Sequence, residues 1–257
     1  RGRGGAGFPA GIKWKTVLDA KADQKYICCN ADEGDSGTFA DRILMEADPF
    51  TLIEGMAIAA LAVGATKGYI YIRSEYPAAI VQMRKAIEIA KPKLGNLELK
   101  VRVGAGSYVC GEETAMLESI EGKRGVVRAK PPLPALEGLF GKPTIINNVL
   151  TLASVPEILG NGAAAYKARG VGKSLGTQVF QLAGNIKQGG IVETGFGITI
   201  EELVNDYGGG TLTGKEIRAV QVGGPLGAYF GKDKLGTSAD YESVLRSEEH
   251  TSELQSH

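Results

Sequence analysis

The chain has 257 residues, of which 43% are hydrophobic and 23% are charged. These proportions are ordinary for a globular protein and argue against intrinsic disorder, and the length allows one large domain or two modest ones. The formal net charge is zero, which gives no support for nucleic acid as a partner. The longest apolar run, Met56 to Ala65, is too short to span a bilayer.

The opening segment mixes glycine with cations and aromatic rings. Glycine loses the most backbone entropy on folding and packs no side chain, so such a segment suits a backbone that approaches a flat or anionic group. Neighbouring cations suit phosphate, and rings suit a stacked base. A flexible linker is the alternative. The segment also fits G-x-G-x-x-G, but Pro9 and Gly11 predict that no helix follows immediately. Its members are Arg1, Gly2, Arg3, Gly4, Gly5, Gly7, Phe8, Gly11, Lys13, Trp14 and Lys15.

The next part of the chain alternates predicted strands with predicted helices. This order predicts a parallel α/β layer of the Rossmann-like kind over residues 1–170. We expect Pro156 to kink or break the last helix. The predicted strands are Lys25 to Asn30, Gly68 to Arg73 and Leu97 to Val103, and the predicted helices are Pro49 to Ala65, Pro77 to Lys91, Gly111 to Glu121 and Asn147 to Gly160.

After Gly176 short strands dominate. Their arrangement with a single short helix predicts a small β-grasp-like (ubiquitin-like) α+β domain over residues 171–245, with its boundary near Val171 to Ser174. The predicted strands are Thr177 to Ala183, Gly190 to Val192 and Glu216 to Val222, and the predicted helix is Ile200 to Asp206.

The last twelve residues, 246–257, resemble the translation of a DNA-sequencing adapter, and we exclude them from the fold. We expect the natural protein to continue beyond Leu245. Both histidines lie in this tail, so residues 1–245 offer none for Ser-His-Asp catalysis, for zinc or for a general base.

The three cysteines, Cys28, Cys29 and Cys110, form no C-x-x-C pair. A disulfide framework or a complete iron–sulfur site is therefore not expected within this chain, and no metal ligands are predicted. A reducing, cytoplasmic setting fits this cysteine usage best.

An acidic loop follows the first predicted strand and carries Asp32, Glu33 and Asp35. At the carboxyl end of a strand in an open α/β sheet, such carboxylates can accept hydrogen bonds from the vicinal hydroxyls of a ribose. They could instead hold Mg²⁺, and a solvated acidic turn is the simpler alternative.

Two further segments place polar groups at predicted helix starts. Glu112 and Glu113 follow the glycine turn at Gly104 and lie in a first helical turn, where a carboxylate can also simply complement the helix dipole. Asn147 and Asn148, with Thr151 one turn on, can cap a helix or bind a phosphate there. We see no internal repeat.

Taken together, the segments described above resemble those of a known protein family. The chain resembles the NADH-binding flavoprotein subunit shared by respiratory complex I, NAD-linked hydrogenases and NAD-dependent formate dehydrogenases. The matching blocks are RGRGGAGFPAGIKW, CNADEGDSGTFADR, YVCGEETAMLESIEG and GKPTIINNVLTLA, and the likeness extends from about Arg1 to Leu245. The segments KGYIYIRSEYP, GVVRAKPPLPA and VQVGGPLGAY look most like the formate dehydrogenase beta subunit.

The resemblance implies that the chain binds FMN and NAD, and that FMN accepts hydride from NADH and passes single electrons to iron–sulfur clusters. It implies Glu112 and Glu113 as candidate catalytic residues. The flavin would be lined by Gly2, Arg3, Gly4, Lys13, Asn30, Asp32, Glu33, Gly111, Glu112, Asn147, Asn148 and Thr151, and NAD would be contacted by Phe8 at the adenine and by Tyr108 and Glu113.

The resemblance also sharpens expectations about specificity. Asp35 near the adenosine ribose would repel the additional phosphate of NADP, which predicts a preference for NAD. Many relatives carry proline where this chain has Ser36. We expect the serine to leave the acidic loop looser than proline would. The resemblance also implies a C-terminal domain with [4Fe–4S] cysteine ligands, which we expect to lie beyond the residues of this chain.

The leading functional hypothesis is therefore the diaphorase subunit of an NAD-dependent formate dehydrogenase. Its expected partners are NADH, a molybdenum-containing alpha subunit and a [2Fe–2S] gamma subunit, without nucleic acid and without a direct membrane span. The alternatives are the equivalent subunit of complex I or of an NAD-reducing hydrogenase and, from another class, a non-catalytic nucleotide- or ligand-binding module built on the β-grasp-like segment.

Overall fold

The computed structural model describes residues 1–5 and 7–246. They divide into two compact units. One comprises Gly2–Gly34 and Asp41–Gly160, and the other comprises Arg1, Asp35–Ala40 and the chain from Asn161 onward. Each unit is described by itself, and the domain limits of 1–170 and 171–245 stay predictions. Ser247 to His257, most of the adapter-like tail, lie outside the described residues.

The first unit is built on a parallel four-stranded sheet. Its strands are β1 (Tyr26–Ala31), β2 (Lys67–Arg73), β3 (Glu98–Gly104) and β4 (Thr144–Asn148), in the order β3-β2-β1-β4. This arrangement confirms the predicted parallel α/β layer. β4 corrects the prediction that a helix begins at Asn147, because both asparagines close a strand and the helix begins two residues later, at Val149.

The helices of the first unit follow the predicted order, with two additions. They are α1 (Ala10–Asp19), α2 (Ala40–Ala47), α3 (Pro49–Val63), α4 (Pro77–Ala90), α5 (Glu113–Ile120) and α6 (Val149–Asn161). Short 3-10 turns cover Lys91–Lys93, Tyr108–Gly111 and Leu139–Gly141. α2 was not predicted, and α6 continues through Pro156 rather than ending there.

α1 overturns the expectation that no helix follows the opening loop. Pro9 is its N-cap, where the missing N–H of proline leaves no hydrogen bond unmade. Gly11 lowers helix propensity by about 1 kcal/mol, but Val17 on the inner face is fully buried. Tertiary packing therefore outweighs the local signal.

Apolar side chains cover both faces of the sheet, as is usual for parallel strands. The larger cluster joins Ile27 and Ile70 to Leu52 and Met56 of α3. On the smaller cluster, Cys28 and Tyr71 pack with residues of α5. α3 and α6 approach so closely at Gly55 that a Cβ there would lie 2.0 Å from the carbonyl oxygen of Leu152, so only glycine fits.

The second unit contains two separate antiparallel strand pairs. β5 (Thr177–Leu182) pairs with β6 (Gly190–Gly195), and β7 (Ala219–Val222) pairs with β8 (Ala228–Gly231). Its helices include α7 (Ala163–Lys167) and α8 (Ile200–Glu202), which continues as a π-helical turn over Leu203–Tyr207. A 3-10 turn covers Lys232–Lys234, and residues 241–246 are helical. The strands expected near β5, β6 and β7 are present, whereas the β-grasp-like arrangement stays a prediction.

α8 begins with a reciprocal cap. The Thr199 hydroxyl accepts a hydrogen bond from the Glu202 amide, and the Glu202 carboxylate accepts one from the Thr199 amide. Nearby, Ile200, Phe230 and Leu235 form a small buried cluster. Within 1–5 and 7–246, no helix is long and apolar enough to cross a membrane.

Candidate functional site

The candidate site lies where β1 and β4 end side by side. Asn30 pairs in register with Asn148, and Cys29 pairs with Asn147. The chain moves outward from β1 through β2 to β3 and then returns to place β4 on the other side of β1. Such a reversal opens a crevice at the carboxyl ends of the strands, which is where open α/β sheets bind ligands.

The glycine-rich opening loop is anchored at this same edge. The Arg3 amide donates a hydrogen bond to Thr151 Oγ1 at 2.8 Å. The Gly2 amide donates to the Phe8 carbonyl at 2.9 Å, and a Cβ on Gly2 would lie 3.0 Å from that oxygen. A Cβ on Gly4 would lie 3.8 Å from the Asn148 Cβ. The structure therefore brings the loop against the start of α6, and the backbone is tightly turned there.

The two asparagines are fixed by different partners. Trp14 Nε1 donates to Asn147 Oδ1 at 2.8 Å, which ties α1 to the end of β4. Asn148 Oδ1 accepts from the Leu150 amide at 2.9 Å, as an N-terminal capping side chain does. The capping interpretation of Asn148 therefore holds, and it is compatible with a role at the crevice.

The acidic loop crosses to the turn before α5. Asn30 Nδ2 donates to the Gly111 carbonyl at 2.8 Å, and Asn30 Oδ1 accepts from the Asp32 amide at 3.2 Å. Burial raises the pKa of Asp32 to about 6, against the opposing influence of the Arg73 guanidinium. A Cβ on Gly111 would lie 3.5 Å from Asp32 Oδ2, so these two residues line one small space.

Glu33 is held in the protein by hydrogen bonds that the sequence did not predict. Its carboxylate accepts from the amides of Asp41 at 3.1 Å and Arg42 at 3.2 Å, and from the Tyr76 hydroxyl at 3.0 Å. It therefore caps α2. A contact between Glu33 and the flavin stays a prediction, and capping would set the position of that carboxylate.

Glu112 caps α5. Its Oε2 accepts from the amides of Thr114 at 2.8 Å and Ala115 at 2.9 Å. Burial raises the pKa of Glu112, but hydrogen bonds from Thr114, Ala115 and Lys130 outweigh it and leave the pKa below its ordinary value. The sequence placed Glu112 in the first helical turn as a complement to the helix dipole, whereas the structure makes it the N-cap that precedes α5.

Glu113 lies between two ammonium groups. Lys13 Nζ is 3.1 Å from Glu113 Oε2, and Lys130 Nζ is 2.7 Å from Oε1. Lys130 also reaches Glu112 Oε1 at 3.1 Å. Burial raises the pKa of Glu113, but the two lysines outweigh burial and lower it overall. Both carboxylates are thus ionised near neutral pH and linked to two cations.

Two exposed aromatic rings lie on the segments described above. Phe8 is 46% exposed, with Lys13 Nζ 5.7 Å from its ring centroid. Tyr108 is 61% exposed and packs on Gly34, where a Cβ would lie 3.0 Å from the ring. Exposed rings near cations can stack on a planar ligand. Asp35 belongs to the other unit, where a Cβ on Gly224 would lie 3.3 Å from Asp35 Oδ2.

The donor set of the crevice fits FMN. A glycine backbone and the cations Arg3 and Lys13 suit a phosphate, while Asn30 and Asp32 suit ribityl hydroxyls. Burial raises the pKa of Asp32 to about 6, so its carboxylate accepts hydrogen bonds at neutral pH and gains a donor as the pH falls through 6. Among residues 1–5 and 7–246, no group of three His, Cys, Asp or Glu side chains is placed to hold a metal ion.

Four residues that touch the site were not predicted from the sequence: Asp41, Arg73, Tyr76 and Lys130. Asp41 lies inside a block that carried the family resemblance, but its role depends on contacts with distant residues. Arg73 is the last residue of β2 and Tyr76 follows it, and both reach the acidic loop from there. The sequence signal that could have identified Arg73 and Tyr76 is their position at the carboxyl end of a strand that neighbours β1.

The fold and the crevice define an α/β protein with a nucleotide-type site at its sheet edge. The model of the Nuo51 FMN-binding domain matches residues 1–157. The chain belongs to this FMN-binding family, which confirms the family resemblance.

Relatives agree with this membership. The chain is 49% identical over 254 residues to the NADP-reducing hydrogenase subunit HndC of Solidesulfovibrio fructosivorans, covering 95% of this chain and 52% of that protein. It is 47% identical over 254 residues to an NADH-quinone oxidoreductase subunit of Rhizobium meliloti (strain 1021), covering 95% of this chain and 60% of that protein.

A solved structure shares the fold. A chain of the NAD⁺-reducing [NiFe]-hydrogenase in the H2-reduced state superposes with a TM-score of 0.89 at 41% identity, and the match covers 94% of this chain and 42% of that one. The present chain thus spans between two fifths and three fifths of the length of these three proteins.

Proposed function

We propose that this chain is the FMN- and NAD-binding part of a diaphorase subunit that transfers hydride between NADH and FMN. The observation that carries the proposal is the meeting of the glycine loop, the acidic loop and the asparagine pair at one sheet edge, within the residues that match the FMN-binding family. The names of the relatives, which include NADH-quinone oxidoreductase and hydrogenase subunits, support it.

Bound FMN would supply the two-electron to one-electron conversion between NADH and iron–sulfur clusters. The protein's own residues would bind and orient it. Arg3, Lys13 and the loop amides would hold the anionic phosphate, and Asn30, Asp32 and Asn148 would bind polar atoms of the flavin. Because Asn30 is held by its bond to the Gly111 carbonyl and Asn148 by its bond from the Leu150 amide, these side chains need little reorganisation when the ligand binds.

We assign the exposed rings and Glu113 to the nucleotide. Phe8 would stack on the adenine, and Tyr108 would lie against the nicotinamide side. Glu113, ionised between two lysines, would accept hydrogen bonds from hydroxyl or amide donors of NAD. Glu112 and Glu113 are the residues that we place nearest to hydride transfer.

We propose NAD rather than NADP as the preferred nucleotide, because the Asp35 carboxylate would repel the 2′-phosphate. One relative is named for NADP, so the choice differs within the family. The measurement is the oxidation rate of NADH and NADPH by the wild type and Asp35→Asn. The wild type should oxidise NADH faster than NADPH, and the ratio of the two rates should be smaller in the variant. Equal rates in the wild type would refute this assignment.

We propose the NAD-dependent formate dehydrogenase as the parent assembly, with a molybdenum-containing alpha subunit and a [2Fe–2S] gamma subunit. The segments around Tyr69, Lys130 and Gly224 support this choice. A complex I or hydrogenase assembly is the alternative, supported by the names of the relatives. The neighbouring reading frames decide: they should encode a molybdenum enzyme, and a nickel–iron subunit or a membrane arm there would overturn the choice.

The activity itself is tested by refolding the chain with FMN and measuring NADH-driven reduction of ferricyanide. The wild type should hold flavin and reduce the dye. Asn148→Ala should lose most of the flavin, while Thr199→Ala, in the second unit, serves as a folding control. Nucleotide binding without dye reduction would favour the non-catalytic binding module instead.

A further inference from the structure

Asp41 is a buried carboxyl group without a role in the proposed function. It lies in the first turn of α2 and is 5% exposed. Aspartate is rarely buried unless its carboxyl group has a partner. The position of Asp41 in the fold therefore requires an explanation.

Its partner is the side chain of Asn148. Asn148 Nδ2 donates to Asp41 Oδ2 at 2.9 Å, and Asn148 Oδ1 accepts from the Leu150 amide at 2.9 Å. These two bonds fix which way the amide points. A flipped amide would set its NH2 group against the Leu150 N–H, which is unfavourable whether or not Asp41 carries a proton.

The backbone of Asp41 is tied to the other side of the crevice. Its amide donates to Glu33 Oε1 at 3.1 Å, and the next amide, of Arg42, donates to Glu33 Oε2 at 3.2 Å. One residue thus joins the acidic loop after β1 to the asparagine that ends β4. Both of these segments are assigned to the flavin.

The surroundings of Asp41 favour its neutral form. Burial, and then the neighbouring Glu33 carboxylate, raise the pKa of Asp41 well above its ordinary value, while the hydrogen bond from Asn148 opposes them. The Cys29 thiol also lies close enough to interact with it. A neutral carboxyl keeps a carbonyl oxygen that can accept from Asn148, so an amide should replace it well.

We infer that Asp41 is a positioning residue for the flavin site: its carboxyl oxygen holds the Asn148 amide in the orientation that binds FMN. This inference rests on the proposed FMN site. It assigns to Asp41 no contact with flavin or nucleotide.

The test is a double-mutant cycle on FMN affinity in the 257-residue chain, measured by quenching of flavin fluorescence. The variants are Asp41→Asn, Asp41→Val, Asn148→Ala and Asp41→Val with Asn148→Ala. Valine fills a volume similar to that of aspartate but accepts no hydrogen bond. Glu46→Ala, in the same helix, is the control for general effects on α2.

We expect Asp41→Val to weaken FMN binding about tenfold or more, because a buried amide donor loses its acceptor. Asn148→Ala should weaken it at least as much, and adding Asp41→Val to it should change affinity less than about threefold, since Asp41 acts through Asn148. Asp41→Asn should bind within about threefold of the wild type. Glu46→Ala should not differ from the wild type.

A purely structural role predicts another pattern. Asp41→Val would then weaken binding by the same factor with and without Asn148, and that result would overturn the inference. If Asp41→Val does not fold, Asp41→Asn decides: affinity as low as that of Asn148→Ala refutes the inference, and wild-type affinity with an unchanged visible circular dichroism of the flavin supports it. A wild type that binds no FMN refutes the proposed function itself, which is a distinct result.

Discussion

The two units of the molecule differ in how deeply their strands are buried. In the first, Asn30 and Asn148 lie at the carboxyl ends of strands in a sheet whose central side chains, such as Ile27 and Ile70, are fully buried. In the second, the residues of β5 are only half-buried along their whole length, and the buried cluster there is small. Functional side chains are held most precisely by rigid elements, so the first unit is suited to a preorganised site.

The largest expected effect on the free energy of unfolding comes from the loss of a core side chain, and it tests whether the two units are packed differently. Ile70→Ala should destabilise the protein by about 2–5 kcal/mol, because it leaves a cavity under the sheet. Val220→Ala, at a half-buried position in β7, should cost about 1 kcal/mol. Urea unfolding followed by far-ultraviolet circular dichroism measures both. Equal costs would mean that the two units are packed alike.

A second prediction concerns the pH dependence of stability that Asp32, in the first unit, produces. The folded pKa of Asp32 is about 6 against an ordinary 3.8, so the stability that this group contributes is complete below about pH 3.8 and is lost as the pH rises through 6. Asp32→Asn should abolish that loss. At pH 7 it should exceed the wild type in stability by about 1 kcal/mol, a value reduced for the partial exposure of Asp32.

Urea unfolding of both proteins at intervals from about pH 4 to pH 7 is the measurement for Asp32. The two curves should coincide at the acid end and separate as the pH rises, with the wild type below. A wild type that gained stability relative to Asp32→Asn over this range would show that burial does not raise the pKa of Asp32.

A third comparison uses one helix cap from each unit. Glu112→Ala and Thr199→Ala each remove a side chain that caps a helix, so each should cost about 1 kcal/mol of stability. Only Glu112→Ala should also weaken FMN binding. Thermal unfolding and a flavin titration on the same samples separate the two effects. Loss of flavin in both variants would assign the effect to folding.

The smallest effect concerns two lysines of α1. Lys15 forms an exposed ion pair with Asp19, and Lys15→Gln should cost no more than about 0.5 kcal/mol. Lys13→Gln removes a partner of Glu113 at the crevice, and its cost in stability should be of similar size. The two variants should differ in FMN affinity, which Lys13→Gln lowers. Identical affinities would remove Lys13 from the site.

Much of the fold was accessible from the sequence because its signals are local. β2 has β-branched and aromatic residues ahead of a turn, and Pro77 marks the start of α4. β4 was missed because it has only five residues and runs directly into α6, so its identity depends on pairing with the distant β1. α1 was missed for the opposite reason: its local signals are poor, and packing of Val17 overrides them.

Some features of the candidate site could likewise be predicted from the sequence, and others could not. Asp32 could be named because it follows a predicted strand, where open α/β sheets bind ligands. Asn148 was named as a polar residue at a predicted helix start, and Asn30 through the family resemblance. The capping of α2 by Glu33 and the bond from Asn148 to Asp41 could not be named, because they join residues 8 and 107 positions apart. Sequence patterns therefore identified residue types at the crevice, and tertiary contacts determine how those side chains are held.

The most direct measurement is a titration of the refolded apoprotein with FMN, followed by flavin absorbance and fluorescence. We predict saturable binding of a single FMN per chain, with quenched fluorescence and a visible circular dichroism signal that reports a fixed ring. A folded protein that leaves the flavin free in solution would contradict the central claim, because the sheet edge would then hold these side chains for some other purpose.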